Sequence, residues 1–133
     1  MDQSLSFARI ASTLGIFLAA TGAASSDWLK SNDSVRSLIA GKRVYLSIPL
    51  GGEFPLHYHA SGRVTGDGSA VGLGRFFTPR ETGEWWVSDG QLCQRFPTWY
   101  EGRVHCFTLR PTSETKLRWR RDDGYSGRAR IQQ

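Results

Sequence analysis

The stretch GEWWVSDGQLCQRFPTWYEGRVHCFTL (83–109) decides how this chain folds. GEWWVS (83–88) alternates Trp85 and Val87 against Trp86 and Ser88, the period of two that marks a strand. Asp89-Gly90 follows and is the strongest hairpin signal in the chain. It suits a type I′ turn, in which both central residues need positive φ. QLCQRF (91–96) leaves that turn as a second strand. VHCFTLR (104–110) returns after the loop PTWYEGR (97–103). Cys93 and Cys106 are the chain's only cysteines. If 91–96 and 104–110 pair as a hairpin, Cys93 lies directly opposite Cys106. Opposed Cβ atoms come to about 4.5–5.5 Å, closest in non-hydrogen-bonded pairs and nearest there to disulfide distance. Two buried free thiols are the alternative.

Outward from this core the same pattern repeats. Ser31 or Asn32 caps a short helix running to about Ala40, with Val35, Leu38 and Ile39 at helical spacing and Gly41 as its stop. Residues 25–32 read as a polar, mobile lead-in. RVYLSI (43–48) and FPLHYHA (54–60) read as strands, Pro55 standing near a strand start, where proline is tolerated. SGRVTGDGSAVGLGR (61–75) reads as glycine turns around one or two short strands. KLRWRR (116–121) and YSGRARI (125–131) form a last hairpin about Asp123-Gly124. The fold class is therefore mainly β: a small antiparallel meander or partly closed barrel of six to eight strands, one short N-terminal helix and one disulfide.

Residues 1–24 read as a signal peptide. Arg9 supplies a weak positive n-region offset by Asp2, the stretch from Ile10 to Ala20 is apolar, and TGAAS offers cleavage near Ala23 or Ala24. A retained N-terminal anchor is the alternative, although spanning takes about 20 apolar residues. Residues 25–133 then form a single β-domain, exported to the periplasm or secreted. In that oxidising setting two cysteines pair, and the bond contributes on the order of 3 kcal/mol.

At FPLHYHASGRVTG (54–66), GEWWVSDGQLCQRF (83–96) and VHCFTL (104–109), followed by a DDG turn, the chain resembles an uncharacterised family of exported bacterial proteins, domain of unknown function 995. The resemblance runs from about residue 38 to 131. It implies a secreted, mainly β domain, and it brings no catalytic residues with it.

The chemistry on offer is sparse. No GxSxG, HExxH or phosphate-binding glycine loop occurs, and Asp67, Glu81, Glu84, Asp89 and Glu101 are scattered over turns and strand edges. No cofactor signature is present, and no nucleophile–base constellation points to an enzyme. His57 and His59 share a strand face at about 6.5–7 Å, and His105 on a neighbouring strand makes a third candidate metal ligand. The competing reading puts Tyr58 in the core and the histidines in solvent. Trp99 and Tyr100 at the loop tip, flanked by Arg95 and Arg103, form either a recognition surface for an unidentified small molecule or envelope component, or a lid over the core. Lys116, Arg118 and Arg120 alternate with Leu117 and Trp119, and Arg121, Arg128 and Arg130 add to them. The formal net charge is +5. These cations form either a basic edge that meets anionic surfaces or a charged edge strand that blocks edge-to-edge pairing. Export makes nucleic acid a poor partner.

Overall fold

In a computed structural model, the residues described are 12–16, 27–49, 51–71 and 80–133. Residues 12–16 belong to no helix or strand, and the rest of the segment expected to be a signal peptide lies outside the described residues. Among the described residues the first regular element is α1 (Asn32–Ile39). Eight strands follow: β1 (Lys42–Ser47), β2 (Glu53–Tyr58), β3 (Arg63–Asp67), β4 (Arg80–Ser88), β5 (Gln91–Arg95), β6 (His105–Pro111), β7 (Lys116–Arg121) and β8 (Ser126–Gln132). Each strand pairs antiparallel with the next. Leu46↔Ala129 and Tyr45↔Arg130 pair β1 with β8 and close the barrel. The chain is thus an up-and-down barrel at the upper end of the expected strand count, and its helix precedes the first strand without standing at the terminus.

The turn chemistry behaves as the residues require. Asp89 has φ 51° and Gly90 φ 72°, the two positive values of a type I′ turn, and Ser88 faces Gln91 across it. The Ser31 hydroxyl accepts from the Ser34 N–H at 3.1 Å and caps α1, with Asp33 in the first turn favouring the helix dipole. The segment before α1 is docked, contrary to the expectation of a mobile lead-in. Leu29 N–H donates to the Leu109 carbonyl at 2.8 Å, and Leu29 packs against the core. The apolar pair Trp28-Leu29 is what the polar composition around it obscures.

Alternation sorts the wall into an inside and an outside. Val44, Leu56, Tyr58, Val64, Trp85, Leu92, Leu109, Leu117, Ala129 and Ile131 fill the interior, and Val35 and Ile39 of α1 plug one end. The cavity left among Ile39, Tyr58, Gln94, Leu109 and their neighbours measures about 20 Å³. Such a space holds about one water. Tyr58 donates its hydroxyl to Gln94 Oε1 at 2.7 Å inside the barrel, and burial pushes its phenol well above the ordinary value. Eight strands enclose just enough room for side chains, and here side chains take all but that small space.

Cys93 and Cys106 form the expected disulfide between directly opposed residues of β5 and β6, Cα atoms 4.0 Å apart. The Cys106 N–H and carbonyl both turn to Asp122, so the pair facing Cys93 is the close, non-hydrogen-bonded kind. Both cysteines point to the outer side of the wall, because Leu92, Gln94 and Phe107 take the inner positions.

Candidate functional site

The loop between β5 and β6 separates its two aromatics. Trp99 turns inward at the barrel end away from α1. Its ring lies 5.5 Å from Phe54 and 4.8 Å from Phe96, centroid to centroid. Gly66 leaves room for it, since a Cβ there would stand 2.5 Å from the indole. Glu81, buried on the inner side of β4, holds the loop from below. One carboxylate oxygen accepts from the Thr98 N–H at 3.0 Å and from its hydroxyl, and the other accepts from the Trp99 N–H at 2.9 Å. A buried carboxylate with three donors is satisfied, and it explains an acid that appears merely scattered in the sequence.

Tyr100 is 53% exposed. Tyr100, Glu101 and Gly102 take consecutive positive φ values of 55°, 58° and 69°. A left-handed residue other than glycine costs roughly 1–2 kcal/mol, so the first two need external support. Arg95 supplies part of it by donating Nε–H to the Gly102 carbonyl at 2.9 Å. The Tyr100 ring meets His105 edge-on at 5.2 Å, and the Arg121 guanidinium lies between Tyr100 (5.2 Å) and Tyr125 (4.8 Å). Arg103 pairs locally with Glu101. The four loop candidates are therefore not one surface: Trp99 is a plug, Arg95 is a brace, and Tyr100 stands exposed beside Arg103.

The basic C-terminal residues gather more completely. Lys116, Arg118 and Arg120 face outward from β7, while Leu117 and Trp119 face the core. Arg118 stands directly opposite Arg110 on β6 and Arg128 on β8, a row of guanidiniums across adjacent strands. None of these three makes an ion pair with a described residue. Arg110 Nε is buried without a partner among the described residues. Lys116 faces Arg130, which faces Tyr45 of β1; Arg130 also makes a two-pronged pair with Glu53 at 3.0 and 3.1 Å. Arg120 lies over the Trp28 ring at 4.6 Å. Arg121 leaves the group, turning inward to bond Asp123 at 2.7 Å.

The closed barrel corrects the reading of this set as an edge. Strands β7 and β8 are paired on both sides, so no edge exists here for charges to protect. Arg110, the first member of the row, escapes a motif-level reading but follows from strand period, two residues beyond Thr108 and four beyond Cys106 on the outer side.

The three histidines do not converge. His57 and His59 lie on the outer face with ring centroids 3.8 Å apart and planes tilted by 41°. His105 sits on β6, which is not a neighbour of β2, and bonds Asp122 at 3.0 Å. Among the described residues no group of three or more His, Cys, Asp or Glu is placed to hold a metal. The candidate third ligand stands apart because the meander sends β2 and β6 to different parts of the wall.

Two open grooves run along the outside. The larger, about 630 Å³, lies over β3 to β5 and is lined by Arg63, Glu84, Trp86, Arg95 and Pro97. The smaller, about 340 Å³, lies over β1 to β3. No family model, curated protein or solved structure matches the chain.

Proposed function

We propose that this protein is an exported, non-enzymatic binding module that contacts anionic envelope material with the outer wall of its barrel. The row Arg110–Arg118–Arg128 carries the reading. Directly opposed like charges cost roughly 0.2–1 kcal/mol per pair, and an anionic surface converts that repulsion into attraction. The packed interior directs attention to the wall, since a cavity of about 20 Å³ admits no ligand of substrate size. Export rests on the leader reading and on the disulfide, which suits a periplasmic or extracellular setting. The residues at 54–66, 83–96 and 104–109 support kinship with domain of unknown function 995.

The test is binding to vesicles containing anionic lipid and to neutral vesicles, over a series of salt concentrations. Each arginine near an anionic surface is worth about 1 kcal/mol, so Arg110→Gln, Arg118→Gln, Arg128→Gln together weaken binding by about two orders of magnitude. Added salt weakens the wild type steeply. Binding that ignores salt, or survives the triple change, refutes the reading.

A second reading is favoured by the left-handed run at Tyr100–Gly102, which spends backbone energy to hold an aromatic ring outside the core. In it Tyr100 anchors a ligand at the rim. Tyr100→Ala then lowers affinity for envelope extracts while leaving vesicle binding intact; equal loss of both returns the ring to the wall's surface.

A further inference from the structure

The smaller groove collects donors that neither the core nor the arginine wall uses. Its floor and sides include Arg43, His57, His59, Thr65, Asp67 and Arg80. Arg43 of β1 stands directly opposite His57 of β2, and His57 stands opposite Thr65 of β3, so a single row crosses the groove. His59, two residues along, places its ring 3.8 Å from that of His57 and its Nε2 3.5 Å from the Thr65 hydroxyl. Arg43 makes no ion pair with a described residue. Asp67 is already engaged: its carboxylate accepts from the Ser69 N–H and hydroxyl and from Arg80 Nε. Its charge and that of Arg80 offset one another. Tyr45 donates its hydroxyl to Gln132 at 2.7 Å, and Arg63 lies beyond His59 across the turn. Among the described residues the Arg43 guanidinium and the His57 imidazole have no hydrogen-bond partner, and His59 and Thr65 have only their long contact with each other.

That arrangement is short of an anion. Partial burial first, and the charges of His59 and Arg43 after it, hold His57 below its ordinary value. The donors also arrive from three strands, with opposed positions about 4.5–5.5 Å apart. A planar carboxylate is satisfied by one guanidinium fork. A tetrahedral oxyanion presents oxygens in several directions and takes the whole set. We propose that this groove binds a phosphoryl group, held by the Arg43 guanidinium, the His57 and His59 imidazoles and the Thr65 hydroxyl. The site uses none of the wall's arginines and stands independently of the reading given to them.

The experiment is a titration of the full, oxidised protein followed by NMR of the His57 and His59 ring signals, with chelator present so that the rings report anion and not metal. Inorganic phosphate shifts both rings saturably at pH 6, and acetate at equal ionic strength does not. Arg43→Gln, an exposed position, weakens phosphate binding at least about tenfold, as loss of a charge-assisted pair demands. Arg118→Gln with Arg128→Gln leaves it unchanged, which separates this site from the wall. Sulfate keeps its charge across this range, so its affinity isolates the imidazoles. It rises from pH 8 to pH 6, by up to about tenfold per unit as the bound anion draws a proton onto His57, and His57→Gln flattens that rise. Vesicles of phosphatidate that compete at lower phosphoryl concentration than inorganic phosphate assign the group to a lipid headgroup; equal competition assigns it to a soluble ester. No saturable shift, an equal response to acetate, or an unaffected Arg43→Gln variant overturns the proposal.

Discussion

Trp99→Ala separates the plug from a recognition surface. The indole is half-buried against Phe54 and Phe96, and Gly66 exists at its van der Waals boundary. Truncating a fully buried tryptophan costs about 3–5 kcal/mol, so a half-buried one falls near 3 kcal/mol. In a domain of this size that lowers Tm by about 12 °C or more. Gly66→Ala perturbs the same contact from the other side, placing a Cβ 2.5 Å from the ring and 3.1 Å from Leu56. Overpacking of this kind costs about 1–3 kcal/mol. In the Trp99→Ala background the new methyl group enters the space the ring has left, so the double variant loses about 1–2 kcal/mol less than the sum. Urea unfolding followed by far-ultraviolet circular dichroism measures all four proteins without relying on the fluorescence of the residue removed. A Trp99→Ala loss under about 1 kcal/mol, or strict additivity of the pair, refutes the plug.

Three further outcomes follow from the geometry. Tyr100→Gly removes a left-handed strain worth roughly 1–2 kcal/mol but also the contacts with His105 and Arg121, so thermal stability changes by less than about 1 kcal/mol; a loss comparable to that of Trp99→Ala contradicts the exposed placement. Thiol titration of the denatured, unreduced protein gives no free thiol, and Cys93→Ala with Cys106→Ala lowers stability by about 3 kcal/mol in urea unfolding. The His105 hydrogen bond, aided by the Cys106 N–H and opposed by burial, holds Asp122 below its ordinary 3.8. A depressed carboxyl stabilises the fold above 3.8 and gives that stability up as pH falls through its folded value, so Asp122→Asn flattens the loss of stability in acid; an unchanged acid limb counts against the pair.

Legibility in the sequence tracks how local the determining physics is. The hairpin at Asp89-Gly90 can be read because two positive φ values have a specific residue signature. The Cys93–Cys106 pairing can be read because strand period and loop length place them opposite each other. Lys116 to Arg120 and Arg128 to Arg130 show their outward face by alternation alone. Closure through Tyr45↔Arg130 is not legible, since nothing at the two ends of the sequence announces that they meet. Glu81 looks like one more surface acid until the fold turns it inward beneath Thr98. Trp99 and Tyr100 are neighbours in one loop and equivalent by composition. Only the donors on Glu81 and the gap at Gly66 decide which of them enters the barrel.

The same long-range fact changes what the cations mean. In an open sheet, lysine and arginine on the last strands need no partner, because their presence prevents the edge from pairing with another chain. Closure removes that explanation from Lys116, Arg118, Arg120, Arg128 and Arg130 together. Solubility accounts for exposed charge, but it is served equally well by cations alternating with acids, as Glu53 alternates with Arg130 and Asp67 with Arg80. It does not account for Arg110, Arg118 and Arg128 standing in direct register with no ion pair to a described residue. Each opposed pair costs the fold stability that a neutral or alternating row would keep. That cost, in a barrel whose interior cavity measures about 20 Å³, is what supports the proposal that the wall meets negative charge from outside.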